Sequence, residues 1–96
     1  MQQGVTHESF ESIVGETVEL QAGELSFKAV VEAVSLLRQN PGQEQQPFSV
    51  VLQSHDAINH GQQIYQLSHP GLEDQNLFLV PIGADERGVR YEIVFN

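Results

Sequence analysis

The pattern of this sequence predicts a mainly β protein, an antiparallel barrel or strongly curved sheet of about six strands with a short N-terminal helix. Three observations predict it. Short apolar or alternating runs recur with turn residues between them, as all-β architectures require. Those runs are rich in valine, isoleucine and phenylalanine, the residues that pack well on a pleated surface. One long polar break, QNPGQEQQP at residues 39–47, interrupts them with a Pro-Gly turn. At 96 residues the chain is sized for one domain spanning 1–96.

Each element has its own justification. Thr6 stands before His7, Glu8 and the apolar set Phe10, Ile13 and Val14, and Gly15 follows, which reads as a helix with an N-cap and a glycine stop. From Glu16 the period changes to two: Val18 and Leu20 alternate with Thr17 and Glu19. Ala22-Gly23 then supplies a turn before Leu25 and Phe27, giving a hairpin. The stretch FKAVVEAVSLLR fits two templates. Phe27, Val30, Val31, Val34 and Leu37 trace a helical stripe with Glu24, Lys28 and Glu32 spaced for i,i+4 pairs, while the valines favour a long bulged strand. A strand is the preferred reading; a helix over 27–37 would make the fold an open α+β sheet, and a β-sandwich is the other alternative.

After the polar loop come four strand-like runs, 48–53, 62–69, 76–82 and 89–95, joined through 55–61, 70–75 and 83–88 as an antiparallel meander. In 48–53 the residues Phe48, Val50 and Leu52 form one row facing the core. In LFLVPI neither face is polar, so that strand should be buried on both sides, with the N-terminal helix as its cover and self-association as the alternative. Pro81 cannot donate to a ladder and marks an edge or a bulge.

Charge narrows the partners. Thirteen Asp and Glu against four Lys and Arg give a net charge of −9, which repels nucleic-acid phosphates and anionic lipid surfaces; DNA, RNA and membrane are not expected as partners, whereas a basic protein is compatible. The absence of cysteine excludes disulfides, thiolate nucleophiles and Cys-ligated metals. Residues 1–5 carry no secretory pattern and no apolar run is long enough to span a bilayer, so a soluble, cytoplasmic protein is expected.

No catalytic motif stands out. Ser49 and Ser54 lie in strand-like sequence without the strained elbow a serine nucleophile needs. GADERG places acids where a phosphate cradle needs neutral backbone, and reads as a turn. His55, Asp56 and His60 bracket a loop but lack the spacing of a metal motif; no metal or other cofactor is expected. Asp85 and Glu86 with Glu73 and Asp74 lack the alternation of a calcium loop. Tyr65, Leu67 and His69 share a strand face; His69, before Pro70, is either a turn cap or an acid–base group. Tyr65 and Tyr91 join a large apolar body to a polar tip. On the last strand Tyr91, Ile93 and Phe95 share one face and Glu92 and Val94 the other.

Taken together, PFSVVL, QQIYQLSHPGL, LFLVPIG and RYEIVFN resemble an uncharacterised family of small bacterial proteins, a domain of unknown function, over residues 47–96 with a weaker echo at Phe10 to Gly15. Gln63 departs from that family's pattern, which tends to place glycine there. The resemblance implies no activity. Through neighbouring tail-fibre or collar-type proteins it implies a place in a phage-tail-like or surface assembly.

Two functional expectations follow. The first is a non-enzymatic interaction or accessory module, with a protein partner or self-association. The second is a small-ligand-binding or hydrolytic barrel in which Tyr65, His69 and Glu92 meet at one mouth, with His55 and His60 as further candidate ligand-binding residues.

Overall fold

A computed structural model describes residues 6–96 of the chain; the expectation about residues 1–5 lies outside them. Thr6, in extended backbone, precedes a helix α1 at His7–Glu11, and its N–H donates to Ser9 Oγ at 3.4 Å. The helix is one turn shorter at its C-terminal end than the apolar spacing predicts. Its continuation to Val14 is held only by turn hydrogen bonds, because Gly15 at φ +89° diverts the backbone into an N–H···O contact with Val31 at 2.8 Å.

The period-two pattern becomes strand β1, Thr17–Ala22, with Val18 and Leu20 buried and Thr17 and Glu19 exposed. Gly23 at φ +62° turns the chain into β2, Leu25–Leu36, pairing Ala22 with Leu25. The ambiguous stretch is therefore a strand. Its helical spacing is overridden because Phe27, Ala29 and Val31 bury on alternate positions, and a bulge between Val31 and Ala33 absorbs the shift of phase. The polar loop is tied at its base: Leu37 N–H donates to the Pro47 carbonyl at 2.9 Å, and Gln46 Nε2 reaches the Leu37 carbonyl at 2.6 Å.

Strands β3, Phe48–Ser54, and β4, Gln63–His69, follow, then β5, Leu72–Asp85, and β6, Gly88–Phe95. β5 is longer at both ends than the sequence reading allows. Pro70-Gly71 alone makes the β4–β5 turn, so the expected loop over 70–75 is mostly strand. All ladders are antiparallel, and the sheet closes into a six-stranded barrel in the order β1-β2-β3-β6-β5-β4, with β4 pairing back onto β1.

This order corrects the simple meander. Two three-stranded meanders, β1-β2-β3 and β4-β5-β6, are joined by the link over 55–62 so that β3 meets β6 rather than β4. The long β5 makes closure possible: Leu72 to Leu79 pair with β4, Val80 to Asp85 with β6, and a bulge after Pro81 bends the strand between its two partners. Pro81 thus marks a bulge.

Leu20, Val31, Val50, Leu52, Leu67, Leu79 and Ile93 fill the interior together with both tyrosine rings. α1 covers one opening: Phe10 is fully buried against Phe95, with ring centroids 5.6 Å apart, and Phe95 stacks on Phe48 at 4.4 Å. The helix does not cover LFLVPI as expected. It packs on β2 and β3, because its one apolar residue of full burial, Phe10, finds a ready aromatic pair at the barrel end. Phe78 and Ile82 are left 50% and 47% exposed, so that strand is not buried on both sides. Among the described residues no helix is long and apolar enough to cross a membrane.

Candidate functional site

The barrel end opposite α1 gathers most of the residues that carry chemistry. The 55–62 link crosses it and lays the His60 ring flat on Phe27, with centroids 4.5 Å apart and planes at 25°. Phe27 in turn meets Tyr65 edge-on at 5.5 Å and Tyr91 at 5.5 Å. Each polar tip in this cluster is engaged. The Tyr65 hydroxyl lies 3.0 Å from the carbonyls of both His60 and Gly61 and accepts from Gln63 Nε2 at 3.2 Å. Tyr91 Oη accepts the His60 N–H at 3.1 Å, and burial pushes its phenol above the ordinary range.

Asp56 completes the arrangement. Its Oδ1 accepts the Ile58 N–H at 2.9 Å, its Oδ2 lies 3.1 Å from His60 Nε2, and the two contacts, the backbone one foremost, hold its carboxyl below the usual value. The chemistry of this end is that of a fastening. Two tyrosines and one aspartate pin a loop across the opening, and the groups that would act on a substrate already hold one another.

His69 sits elsewhere. It closes β4 at the other end from Tyr65, four residues and roughly 13 Å along the strand at about 3.3 Å per residue. Its Nδ1 accepts the Gly71 N–H at 2.8 Å, so in the neutral ring Nε2 carries the hydrogen and donates to Glu16 Oε1 at 2.8 Å. The imidazole caps the Pro70-Gly71 turn and straps it to the start of β1. It also lines a shallow recess of about 540 Å³ with Thr17, Lys28 and Asp74.

Glu92 projects from β6 on the outer side, opposite Val51 on β3 and Val80 on β5. His69 opposes Leu72, eight residues before Val80 on β5 and roughly 26 Å along it. The structure therefore does not bring Tyr65, His69 and Glu92 to one mouth. The reason is the length of β5, which carries β4 and β6 past each other along the barrel instead of side by side. His55 is exposed at the start of the link, away from the ring contacts of His60. Among the described residues no three His, Asp or Glu side chains gather as a metal-binding group.

The remaining unusual feature is the outer face of β4 and β5. Ile64 and Phe78 oppose each other directly across the ladder and are 62% and 50% exposed. Ile82 on β5 and Val94 on β6 are also about half exposed. The sequence carried this signal: alternation around the buried Tyr65 and Leu67 puts Ile64 on the same side as Gln66 and Ser68, where an apolar residue has no core to join. A second overlooked residue is Gln53, whose side chain is buried although its parity on β3 points outward.

The family model for a domain of unknown function, DUF6916, matches residues 5–95. No curated protein and no solved structure matches the chain.

Proposed function

The chain belongs to the DUF6916 family, a domain of unknown function, and from that premise we propose that it is a non-enzymatic interaction module that docks a partner protein on the outer face of β4 and β5. The observation that carries the reading is the opposed pair Ile64 and Phe78, 62% and 50% exposed on strands whose inner faces already bury Tyr65, Leu67 and Leu79. An apolar cross-strand pair of this size stabilises nothing in the isolated barrel beyond its own contact. It costs solvation, and covering it with a partner recovers that cost.

Charge specifies the partner. Asp74 is exposed on the same side of β5 as Phe78, four residues before it, and the chain as a whole carries −9. A second copy meets repulsion, whereas a partner with an apolar knob and a basic rim is attracted. The engaged state of the tyrosines, Asp56 and His69 supports a binding role over a catalytic one. Such a module serves as an accessory part of a larger assembly, phage-tail-like or at a surface.

The test is capture from the lysate of the protein's own organism, run in parallel with the double variant Ile64→Ser/Phe78→Ser, with light scattering on both. Expected is a stoichiometric basic partner that the parent retains, that the variant loses at least about tenfold, and whose binding weakens from low salt to physiological salt. Equal capture by parent and variant overturns the assigned face. A parent that stays monomeric and captures nothing overturns the interaction reading, and a homo-oligomer abolished by the variant replaces the basic partner with a second copy.

A further inference from the structure

A separate recess lies on the opposite side of the barrel, where the α1–β1 connection, β2, β3 and the β5–β6 turn meet. Its volume is about 280 Å³, and its walls include Val14, Val30, Glu32, Gln53, His55 and Arg87. Gln53 is 2% exposed, and its Oε1 is the one buried side-chain polar atom without a hydrogen-bond partner among the described residues. The amide cannot be turned to relieve this. Nε2 donates to the Ser54 carbonyl at 2.7 Å, and the flipped amide would set two acceptors face to face.

An unmade hydrogen bond at a buried acceptor is costly, and native proteins supply a partner for nearly all such atoms. We propose that this recess binds a small neutral hydrogen-bond donor with a branched apolar body, a primary amide being the fullest case, whose N–H pairs with Gln53 Oε1. The apolar part matches Val14 and Val30. Neutrality follows from the lining: its one carboxylate, Glu32, and its one guanidinium, Arg87, lie 3.4 Å apart and offset one another.

Oε1 is covered as the walls stand, so the ligand enters by displacing one of them. Arg87 is the movable one. Its side chain is 54% exposed, sits in the β5–β6 turn, and is held through the single Nη2 that reaches Glu32 at 3.4 Å and Asp85 at 3.1 Å, so it can swing out while its backbone N–H stays bonded to Asp85 Oδ1 at 2.9 Å. The site lies away from Ile64 and Phe78 and is independent of the docking face.

The test titrates isobutyramide into the isotope-labelled protein and follows the Gln53 side-chain amide and the backbone of Val30, Glu32 and His55 by NMR. Methyl isobutyrate, which has the same branched body and no N–H, is the control. Expected are saturable shifts at these residues for the amide, a dissociation constant roughly tenfold weaker for the ester, and loss of that preference in Gln53→Met, which keeps the bulk and removes the acceptor. Equal binding of amide and ester by the parent chain overturns the proposal without any variant. Absence of saturable shifts, with a water contact seen at the Gln53 amide, overturns it in favour of a buried water alone.

Discussion

Gly88 shows how narrow the tolerance of a single residue is in this barrel. Its φ of +143° is open to glycine and strained for any side chain, and a Cβ there would stand 2.3 Å from the Ser54 carbonyl. The close approach serves a contact: Ser54, fully buried, accepts the Val89 N–H at 3.2 Å and donates to the Val89 carbonyl at 3.0 Å, locking β3 to β6 where the β5–β6 turn ends. Gly88→Ala is expected to cost about 3 kcal/mol in urea denaturation, whereas Gly42→Ala, also at positive φ but with open space around it, costs about 1 kcal/mol. Equal losses would show that backbone strain alone acts at Gly88. Asp56 provides the pH-dependent counterpart. Because its folded pKa lies below the ordinary 3.8, the ionised form is the one the fold favours. Its stabilisation is complete above the unfolded carboxyl value and is lost as pH falls through the lower folded value. Carbon-detected NMR titration of Asp56 should give a midpoint below 3.8, and a midpoint at or above it would show that the Ile58 and His60 contacts do not hold in solution.

Among the elements, α1 is too short to be stable by itself, since one helical turn forms too few hydrogen bonds to offset nucleation. Its persistence depends on Phe10, which inserts against Phe48 and Phe95 and closes the barrel end. Phe10→Ala is expected to destabilise the protein by about 3–5 kcal/mol, within the range for truncating a buried phenylalanine, and to release the amides of residues 7–16 to hydrogen exchange before those of β3. Uniform exchange across both would mean that helix and barrel open as one unit. β2 makes a complementary case. Its Val31–Ala33 bulge lets a twelve-residue strand serve both β1 and β3, so a sequence with acceptable helical spacing is held extended by partners on each side.

For the whole molecule, closure is what limits the mode of recognition. With β4 paired back onto β1, every strand among the described residues has a neighbour on each side, so the proposed association uses a face and not the addition of a partner strand along an open edge. The outer surface of β4 and β5 is such a face, and the charge of −9 raises the cost of covering it with a second copy. The docking experiment with Ile64→Ser/Phe78→Ser therefore reads a property of the closed barrel as much as of two side chains.

The strand content, the short helix, the polar loop and an irregularity at Pro81, edge or bulge, were legible because each rests on local rules: alternation, β-branching, turn chemistry and the missing proline N–H. The identity of Phe48, Val50 and Leu52 as a core row was legible for the same reason. Local pattern could not decide that β3 pairs with β6, that α1 plugs an opening instead of covering β5, or that Tyr65, His69 and Glu92 stand apart. Those follow from the length of β5 and the way two three-stranded units join end to end, which depend on contacts between residues far apart in the chain. The sequence by itself determined which residues want to be strands and which side of each is apolar. Only the tertiary structure decided which apolar sides meet, and so which of them, Ile64 and Phe78, were left facing water.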